Sequence, residues 1–310
     1  YLSIIGNQQD LTFLALSSHN KFPSKGFLYS LHSSRIDKEE LIAVKSYIND
    51  LREFYIEKDL GSFFKKNQEF INGGIKEFQN NTPKNYINIM EKYYGEKFQE
   101  FAIYPNPFDA FPLNEGDEDF FHGNGQRIET KNGVIASMMT SAFLPIDFKK
   151  QSNKYGFDHP DYVKFIVTHE FGHSFVNHTL KKVASQLNAT EKLFSSELSK
   201  KMKPQGYQNW SICMAEHLVR LGEIRIAEIN GEKQRAEKLR EMHIKEFSFV
   251  LIPVLEKKIS EYEQNRDKYL TYQDFLPELL SVLNEITPQE VRELLNHSAT
   301  TPKAKITKEN

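Results

Sequence analysis

The segment His169-Glu170-Phe171-Gly172-His173 constrains this chain more than any other. On an α-helix, residues four apart lie one turn apart on the same face, so His169 and His173 can present two imidazoles to one metal ion. Glu170 lies about 100° around the helix from His169. From there its carboxylate can accept a proton from a water molecule that the ion activates. The pattern therefore predicts a helix that carries a metal site.

The residues around this segment are apolar. Between Phe165 and Val176, Glu170 is the one residue with a formal charge. A buried helix with two histidines and a glutamate is unstable unless these groups are paired or bound to a metal. A helix with a purely structural role would carry charged residues at several of these positions. The context therefore favours a metal site over a chance match.

A third ligand has to come from elsewhere in the chain. One class of such sites continues with Gly and His at fixed positions, but Val176 and Thr179 stand there. A second class takes a Glu from a following helix, and Glu216 lies within the apolar segment Trp210–Arg220. We predict Glu216 as the third ligand. The alternative is a surface ion pair between Glu216 and Arg220, which lie four residues apart.

Other carboxylates remain open as the third ligand. The reserve candidates for the third ligand are Glu191, Glu197 and Glu223.

A single cysteine, Cys213, limits the kinds of metal site that are possible. It excludes an internal disulfide and a cysteine-rich structural zinc site. Cys213 stands one turn before Glu216 and is expected to be a small buried hydrophobic residue. The site must therefore use histidine and carboxylate ligands, as catalytic sites do.

The composition excludes several classes of protein. Over 310 residues, 40 Lys and Arg against 42 Asp and Glu give a net charge of −2, which argues against a nucleic-acid partner bound by a basic surface. A hydrophobic content of 39% excludes a fully disordered chain. No apolar run reaches the roughly 18–20 residues of a membrane-spanning helix, so we expect no integral membrane segment.

The pattern along the chain predicts an α+β fold that is mostly helical. Residues 1–104 are predicted to be a helical N-terminal part, 105–161 a loop and a hairpin, and 162–297 the metal-binding helix and a helical C-terminal part. Together these form one unit over 1–297, followed by a flexible tail over 298–310. Residues 232–263 read as one helix, whose charged first half, 232–245, is predicted to be a solvated face.

A β-hairpin is predicted just before the metal-binding helix. Lys131-Asn132-Gly133 separates the short apolar runs Arg127–Thr130 and Val134–Met139. Asn-Gly is the strongest short-range hairpin signal, because both residues tolerate a positive φ. The expected result is a small sheet that precedes the helix.

With these residues in place, the sequence resembles the gluzincin type of zinc metallopeptidase, in which two His and a downstream Glu bind zinc. It resembles more closely a bacterial, mostly exported family described as a domain of unknown function. That resemblance rests on His169–His173 with the following Ser174–Asn177, on Trp210, and on Glu216-His217-Leu218-Val219-Arg220. It extends upstream through the hairpin and covers about half of the chain.

The resemblance implies a zincin-like fold, zinc as cofactor, a peptide or protein substrate, and export to the periplasm, cell surface or medium of a bacterium. A cytoplasmic location is not excluded. The chain opens at Tyr1 rather than Met, which is expected if an upstream segment was removed. Two departures from the thermolysin-like pattern keep the substrate range open: the interval between His173 and Glu216 is longer, and Arg220 stands where that pattern has an acid.

The resemblance also suggests a role for the hairpin. In such peptidases a strand before the zinc helix pairs with the backbone of the substrate. Val134–Met139 is the strand at that place in this chain. The alternative is that this strand only covers the core.

The predicted mechanism places zinc on His169, His173 and Glu216, with Glu170 as the general base for a water that the metal activates. Glu170 then gives the proton to the leaving amine. A further donor has to stabilise the oxyanion, and Tyr207, His217 and Arg220 are its candidates.

Three other functions remain as alternatives to a peptidase. The first is a catalytically silent peptidase-like binding protein, and the second is a metal hydrolase of non-peptide amides. The third is a plain helical interaction module.

Overall fold

A computed structural model describes residues 38–110, 123–144 and 154–300. These residues form many helices and one small mixed sheet, so the predicted α+β class is confirmed. Internal contacts divide the described residues into two compact units, 38–84 with 98–171 and 85–97 with 172–300. The prediction of one metallopeptidase-like unit stays a prediction.

Three helices open the first unit, as the helical pattern predicts. They are α1 (Lys38–Glu57), α2 (Leu60–Lys66) and α3 (Gln68–Asn81). Asp59 separates the first two, with a left-handed φ of 46°, and its carboxylate accepts a hydrogen bond from the Ser62 amide at 3.4 Å. A cap of this kind starts a new helix, because the side chain satisfies an amide that has no partner in the first turn.

The sheet of the first unit has three strands, β1 (Glu100–Ala110), β2 (Gly123–Thr130) and β3 (Gly133–Ala142). Strand β3 lies in the centre, parallel to β1 and antiparallel to β2. Thr130 pairs with Gly133, and the Thr130 hydroxyl donates to the Gly133 carbonyl at 2.7 Å. The predicted hairpin is confirmed.

The turn of this hairpin differs in detail from the expected one. Gly133 has a positive φ of 139°, whereas Asn132 does not. The Asn132 amide donates to the Thr130 hydroxyl at 3.2 Å, so the threonine side chain closes the turn. Only the glycine therefore needs the conformational freedom that the Asn-Gly pair offers.

The prediction was wrong for strand β1. Residues up to 104 were expected to be helical and those from 105 a loop, but Glu100–Ala110 pairs with β3. Pro105 and Pro107 caused the error, because proline cannot donate to a sheet. An outer strand tolerates proline, and among the described residues β1 is an outer strand. Residues 111–122 and 145–153 of the predicted loop lie outside the described residues.

A half-buried carboxylate fixes the chain just before the predicted metal-binding helix. Glu77 on α3 accepts hydrogen bonds from the amides of Tyr155 at 2.9 Å and Phe157 at 2.7 Å. The Asn81 side chain donates to the Phe157 carbonyl at 3.1 Å. Helix α5 (Pro160–Lys182) starts three residues later with a proline in its first turn, where the missing amide has no helical partner to lose.

Helix α5 is the predicted metal-binding helix. It is buried along most of its length, as its apolar sequence predicts. Its fully buried apolar residues are Val163, Ile166, Val167, Phe171, Phe175 and Val176. The polar residues among them therefore lie in a dry environment.

The second unit is helical. Besides α4 (Tyr86–Tyr94) it contains α6 (Ala184–Asn188), α7 (Ser196–Met202), α8 (Trp210–Ile229), α9 (Lys233–Glu241), α10 (Ile252–Gln264), α11 (Tyr272–Ser281) and α12 (Pro288–Thr300). Helix α12 runs three residues into the predicted tail, and residues 301–310 lie outside the described residues.

Helix α8 is the core of the second unit. Asn209 caps it by accepting from the Ile212 amide at 3.0 Å. The Trp210 indole donates to the Leu187 carbonyl at 3.0 Å and anchors its first turn. Gly172 lets α8 approach α5 closely, because a Cβ there would lie 3.0 Å from Val219. This packing brings the first half of α8 next to His173.

The segment after α8 departs from the prediction of one long helix over 232–263. Helix α9 ends at Glu241, a π-helical turn spans Met242–Glu246, and Ser248 adopts a positive φ of 63° before α10 begins. The predicted solvated face is also wrong in part, because Ala236, Leu239 and His243 are buried. A π turn changes the 3.6-residue period on which the helix prediction rests.

The described helices include no segment long and apolar enough to cross a membrane.

Candidate metal centre

Two histidines and one glutamate come together on α5 and α8. The possible ligand atoms of His169, His173 and Glu216 all lie within 4.8 Å of one another. The His173 Nε2 atom is 3.2 Å from the Glu216 Oε1 atom. His169 and Glu216 are buried, and His173 is half-buried. All three predicted ligands are therefore found in one group.

The geometry of this group fits a metal ion. Ligands about 2.0–2.2 Å from a tetrahedral ion lie about 3.3 Å apart, close to the 3.2 Å between His173 and Glu216. The His173 Nδ1 atom lies 3.3 Å from the Asn177 Oδ1 atom, so Nδ1 is the nitrogen that carries hydrogen. The Nε2 atom faces a carboxylate oxygen at 3.2 Å, and a cation bound between these two atoms would use both as ligands.

His169 is oriented by the helix turn before it. Its ring stacks on Phe165, with ring centroids 6.1 Å apart and an angle of 23° between the planes. Stacking on an apolar ring limits the orientations that the imidazole can adopt. The ligand set is therefore positioned by neighbouring side chains of the protein.

Cys213 takes no part in the ligand group. Its sulfur lies 3.6 Å from the His217 Nδ1 atom. Burial, together with the charge of Glu216, raises the pKa of the thiol, which therefore stays protonated and ligates poorly. The expectation of a small buried hydrophobic residue is confirmed.

Glu170 is buried beside strand β2. A Cβ atom at Gly123 would collide with the Glu170 carboxylate, and one at Gly125 would collide with the Glu170 carbonyl. The two glycines face α5 because alternate residues of a strand point to the same side. The strand reaches Glu170 only because these two positions carry no side chain.

The role suggested for Val134–Met139 is wrong. These residues belong to β3, whose two edges are occupied by β1 and β2. A substrate backbone cannot pair with a strand that already has two partners. Local sequence revealed the hairpin but not the parallel pairing with β1.

Arg220 is buried next to Glu216, on the side of the carboxylate away from His173. Its Nε atom is 3.7 Å from Glu216 Oε2, and its NH2 group donates to the Tyr207 hydroxyl at 3.0 Å. The guanidinium lies over the ring of Phe249 at 4.4 Å. The predicted pair between Glu216 and Arg220 therefore exists, but it is buried and lies beside the ligand group rather than on the surface.

Tyr207 is half-buried and accepts the hydrogen bond of Arg220. Burial and the charge of Glu216 raise the pKa of its phenol, so the hydroxyl keeps its hydrogen at neutral pH. Because the oxygen is the acceptor toward Arg220, the hydrogen can be donated in another direction. Tyr207 is thus a polar donor next to the carboxylate ligand.

His217 is fully buried and neutral. Its Nδ1 atom donates to the Cys213 carbonyl at 2.8 Å, and burial lowers its pKa to about 4. Among the described residues the Nε2 atom has no hydrogen-bond partner. In this tautomer Nε2 is an acceptor, so the predicted role as oxyanion donor would require the other tautomer.

The reserve carboxylates lie in different surroundings. Glu191 and Glu197 lie outside the ligand group, and Glu197 pairs with Arg292 at 2.8 Å. Glu223 is buried, and its Oε2 atom is 2.8 Å from the His243 Nε2 atom. The prediction placed His243 on a solvated helix, and its charged neighbours gave no signal of its burial.

The chain matches one protein family over most of its length. The family described as "Domain of unknown function (DUF4932)" matches residues 14–282, and the chain belongs to that family. Neither the curated proteins nor the solved structures include a significant match. The predicted membership in a family of unknown function is thus confirmed, while the gluzincin resemblance stays a prediction.

Replacing Glu216 by Ala should weaken metal binding by at least about tenfold, since it removes one of three ligands. Calorimetric titration of chelator-stripped protein with Zn2+ and Co2+ measures this. Glu197→Ala is the matched control, because Glu197 lies outside the ligand group, and it should bind like the wild type. Equal affinity of Glu216→Ala and the wild type would contradict the assignment.

The depressed pKa of His217 predicts a loss of stability in acid. Below pH 6.5 the unfolded chain takes up a proton that the folded protein accepts only near pH 4, so the free energy of unfolding falls across this interval. The shift from 6.5 to about 4 corresponds to at most about 3.4 kcal/mol at 1.36 kcal/mol per pH unit.

Urea unfolding of metal-free protein at several pH values measures this loss. The variant His217→Asn keeps a donor for the Cys213 carbonyl but has no titrating ring. It should therefore show a shallower decline between pH 6.5 and 4. Identical declines in the two proteins would show that His217 does not titrate in this way.

Proposed function

We propose that this protein is a zinc-dependent peptidase. The observation that supports the proposal most strongly is the group of His169, His173 and Glu216, in which Glu170 directly follows a ligand on the same helix. Two imidazoles and one carboxylate are the ligand set of catalytic zinc sites that keep a position open. The enzyme would therefore be a hydrolase of the gluzincin type.

The residues of the chain suit the chemistry that zinc supplies. Bound zinc acts as a Lewis acid, which lowers the pKa of water toward about 7 and polarises a carbonyl group. The Glu170 carboxylate accepts the proton of the attacking water and returns it to the leaving nitrogen. The burial of Glu170 strengthens these interactions because it excludes competing water.

Tyr207 is the strongest of the three predicted oxyanion donors. The donors of Arg220 are directed to His243, Tyr207 and Glu216. His217 presents an acceptor rather than a donor. The Tyr207 hydroxyl keeps its hydrogen and lies in the electrostatic field of Glu216. We assign it the stabilisation of the developing negative charge.

A peptide substrate is supported by strand β2. Among the described residues β2 is an outer strand, and its glycines bring its backbone against Glu170. An outer strand offers amides and carbonyls to which an extended peptide can add as a further strand. Such pairing would place a peptide bond beside the general base.

Glu170→Gln tests the mechanism directly. The amide cannot accept a proton, so peptide hydrolysis should fall by at least about 100-fold, the usual contribution of a general base. Zinc content should stay the same, because Glu170 is not a ligand. A mixed peptide library with mass-spectrometric detection measures cleavage, and a chelator identifies the part that depends on metal.

The same assay separates the alternatives. Full activity of Glu170→Gln would contradict the assigned base. A zinc-loaded wild type that cleaves no peptide would support the silent binding protein or the hydrolase of non-peptide amides, which a panel of acyl amides distinguishes.

Gly123→Ala should lower hydrolysis about tenfold or more without changing zinc affinity. The added Cβ atom would displace the Glu170 carboxylate, and small misplacements of catalytic groups have large effects on rate. Asn124→Ala is the control on the same strand. The Asn124 side chain lies on the face opposite to Gly123 and accepts a hydrogen bond from the Gln126 side chain. Equal rates for Gly123→Ala and the control would contradict the role of this close approach.

A further inference from the structure

His243 lies in the π turn after α9 and is completely buried. Its Nδ1 atom is 3.1 Å from NH1 of Arg220, and its Nε2 atom is 2.8 Å from Glu223 Oε2. A buried histidine with two charged partners is unusual in a segment whose sequence resembles a solvated helix. The π turn allows it, since such turns redirect side chains and recur at functional sites.

The two contacts fix the tautomer of His243. A guanidinium group only donates, so Nδ1 must be the acceptor toward Arg220. The hydrogen of the neutral ring is then on Nε2, which donates to the Glu223 carboxylate. The imidazole is held at both ends and cannot rotate without breaking one of these bonds.

The same segment holds the guanidinium of Arg220 on its other sides. Phe249 lies under it at 4.4 Å, and Phe247 lies at 5.3 Å from it. The Phe249 amide donates to the His243 carbonyl at 2.9 Å, so the imidazole and the Phe249 ring come from one short folded segment. Arg220 therefore has a defined orientation, which a buried cation needs if its donors are to be satisfied.

The orientation of Arg220 decides which atoms of its neighbours face the ligand group. Its Nε atom faces Oε2 of Glu216 at 3.7 Å, whereas Oε1 of the same carboxylate is the atom 3.2 Å from His173. Its NH2 group fixes the oxygen of Tyr207. One guanidinium thus determines how both the carboxylate and the phenol are presented.

We propose that His243 and Glu223 form a positioning pair that holds Arg220 so that Glu216 binds the metal through Oε1 and Tyr207 directs its hydroxyl to the reaction. The inference rests on the proposed metal site. His243 touches neither a ligand nor the reacting atoms, and it acts through Arg220. Outer contacts of this kind typically change metal affinity by 10–100-fold.

Two polar variants of His243 test the pair. His243→Gln places its amide near the position of Nε2, toward Glu223, and leaves Arg220 without its acceptor. His243→Asn places its carbonyl oxygen near the position of Nδ1 and restores that acceptor. The Zn2+ dissociation constant, measured by competition with a chelating indicator, should rise about 10–100-fold in His243→Gln. His243→Asn should recover most of this loss.

The absorption of Co2+-loaded protein gives a second measurement. Four-coordinate Co2+ absorbs more strongly than five- or six-coordinate Co2+, so a displaced Glu216 should change the intensity in His243→Gln and less in His243→Asn. This signal responds to the coordination of the ion and not to the stability of the fold.

Arg225→Gln is the matched control. Arg225 also lies on α8, and it pairs with Glu256 at 3.0 Å and Glu263 at 2.6 Å. Arg225→Gln should lower the melting temperature and leave the Zn2+ dissociation constant unchanged. If His243 had a purely structural role, His243→Gln would show this same pattern. Unchanged affinity and spectrum in both His243 variants would overturn the positioning pair and leave the metal site intact. A wild type that binds no Zn2+ would overturn both.

Discussion

The burial of Glu216 beside His173 is the constraint on which the site depends. A carboxylate in a dry environment is unstable unless a cation, a proton or several hydrogen-bond donors compensate its charge. Arg220 lies 3.7 Å from one oxygen of this carboxylate, and His173 lies 3.2 Å from the other. Glu216 therefore faces a fixed cation of the protein on one side and the imidazole of His173 on the other. The second side is the one that a metal ion would complete.

The close packing of α8 on α5 makes this arrangement possible. Gly172, inside the motif itself, leaves room for Val219, and Trp210 anchors the start of α8. A larger residue at position 172 would push α8 away, and the Glu216 carboxylate would move with it. The motif thus contributes two of the three candidate ligands and also, through its glycine, the space that the third candidate, Glu216, needs. Arg220 and its partners then set the orientation of that ligand.

The sequence predicted most of the helices and the three residues that come together as candidate ligands, because both depend on local patterns. Polar residues within apolar helices, such as His169 and Glu216, are conspicuous, since burial leaves them few structural roles. Strand β1 was missed because prolines argue against a strand in the sequence, although an outer strand tolerates them. Its parallel pairing with β3 also joins segments that are distant in the sequence. His243 was missed because a π turn breaks the helical period, and no feature near it in the sequence indicates that it meets Arg220. Contacts between distant segments carry this information, and one sequence does not contain it.

The most direct test of the central claim is the position of the metal itself. Crystals of zinc-loaded protein, measured on both sides of the zinc absorption edge, locate the ion by its anomalous scattering. Our account predicts one strong peak about 2.0–2.2 Å from a nitrogen of His169, a nitrogen of His173 and Oε1 of Glu216. A peak at other residues, or no peak near these three, would contradict it.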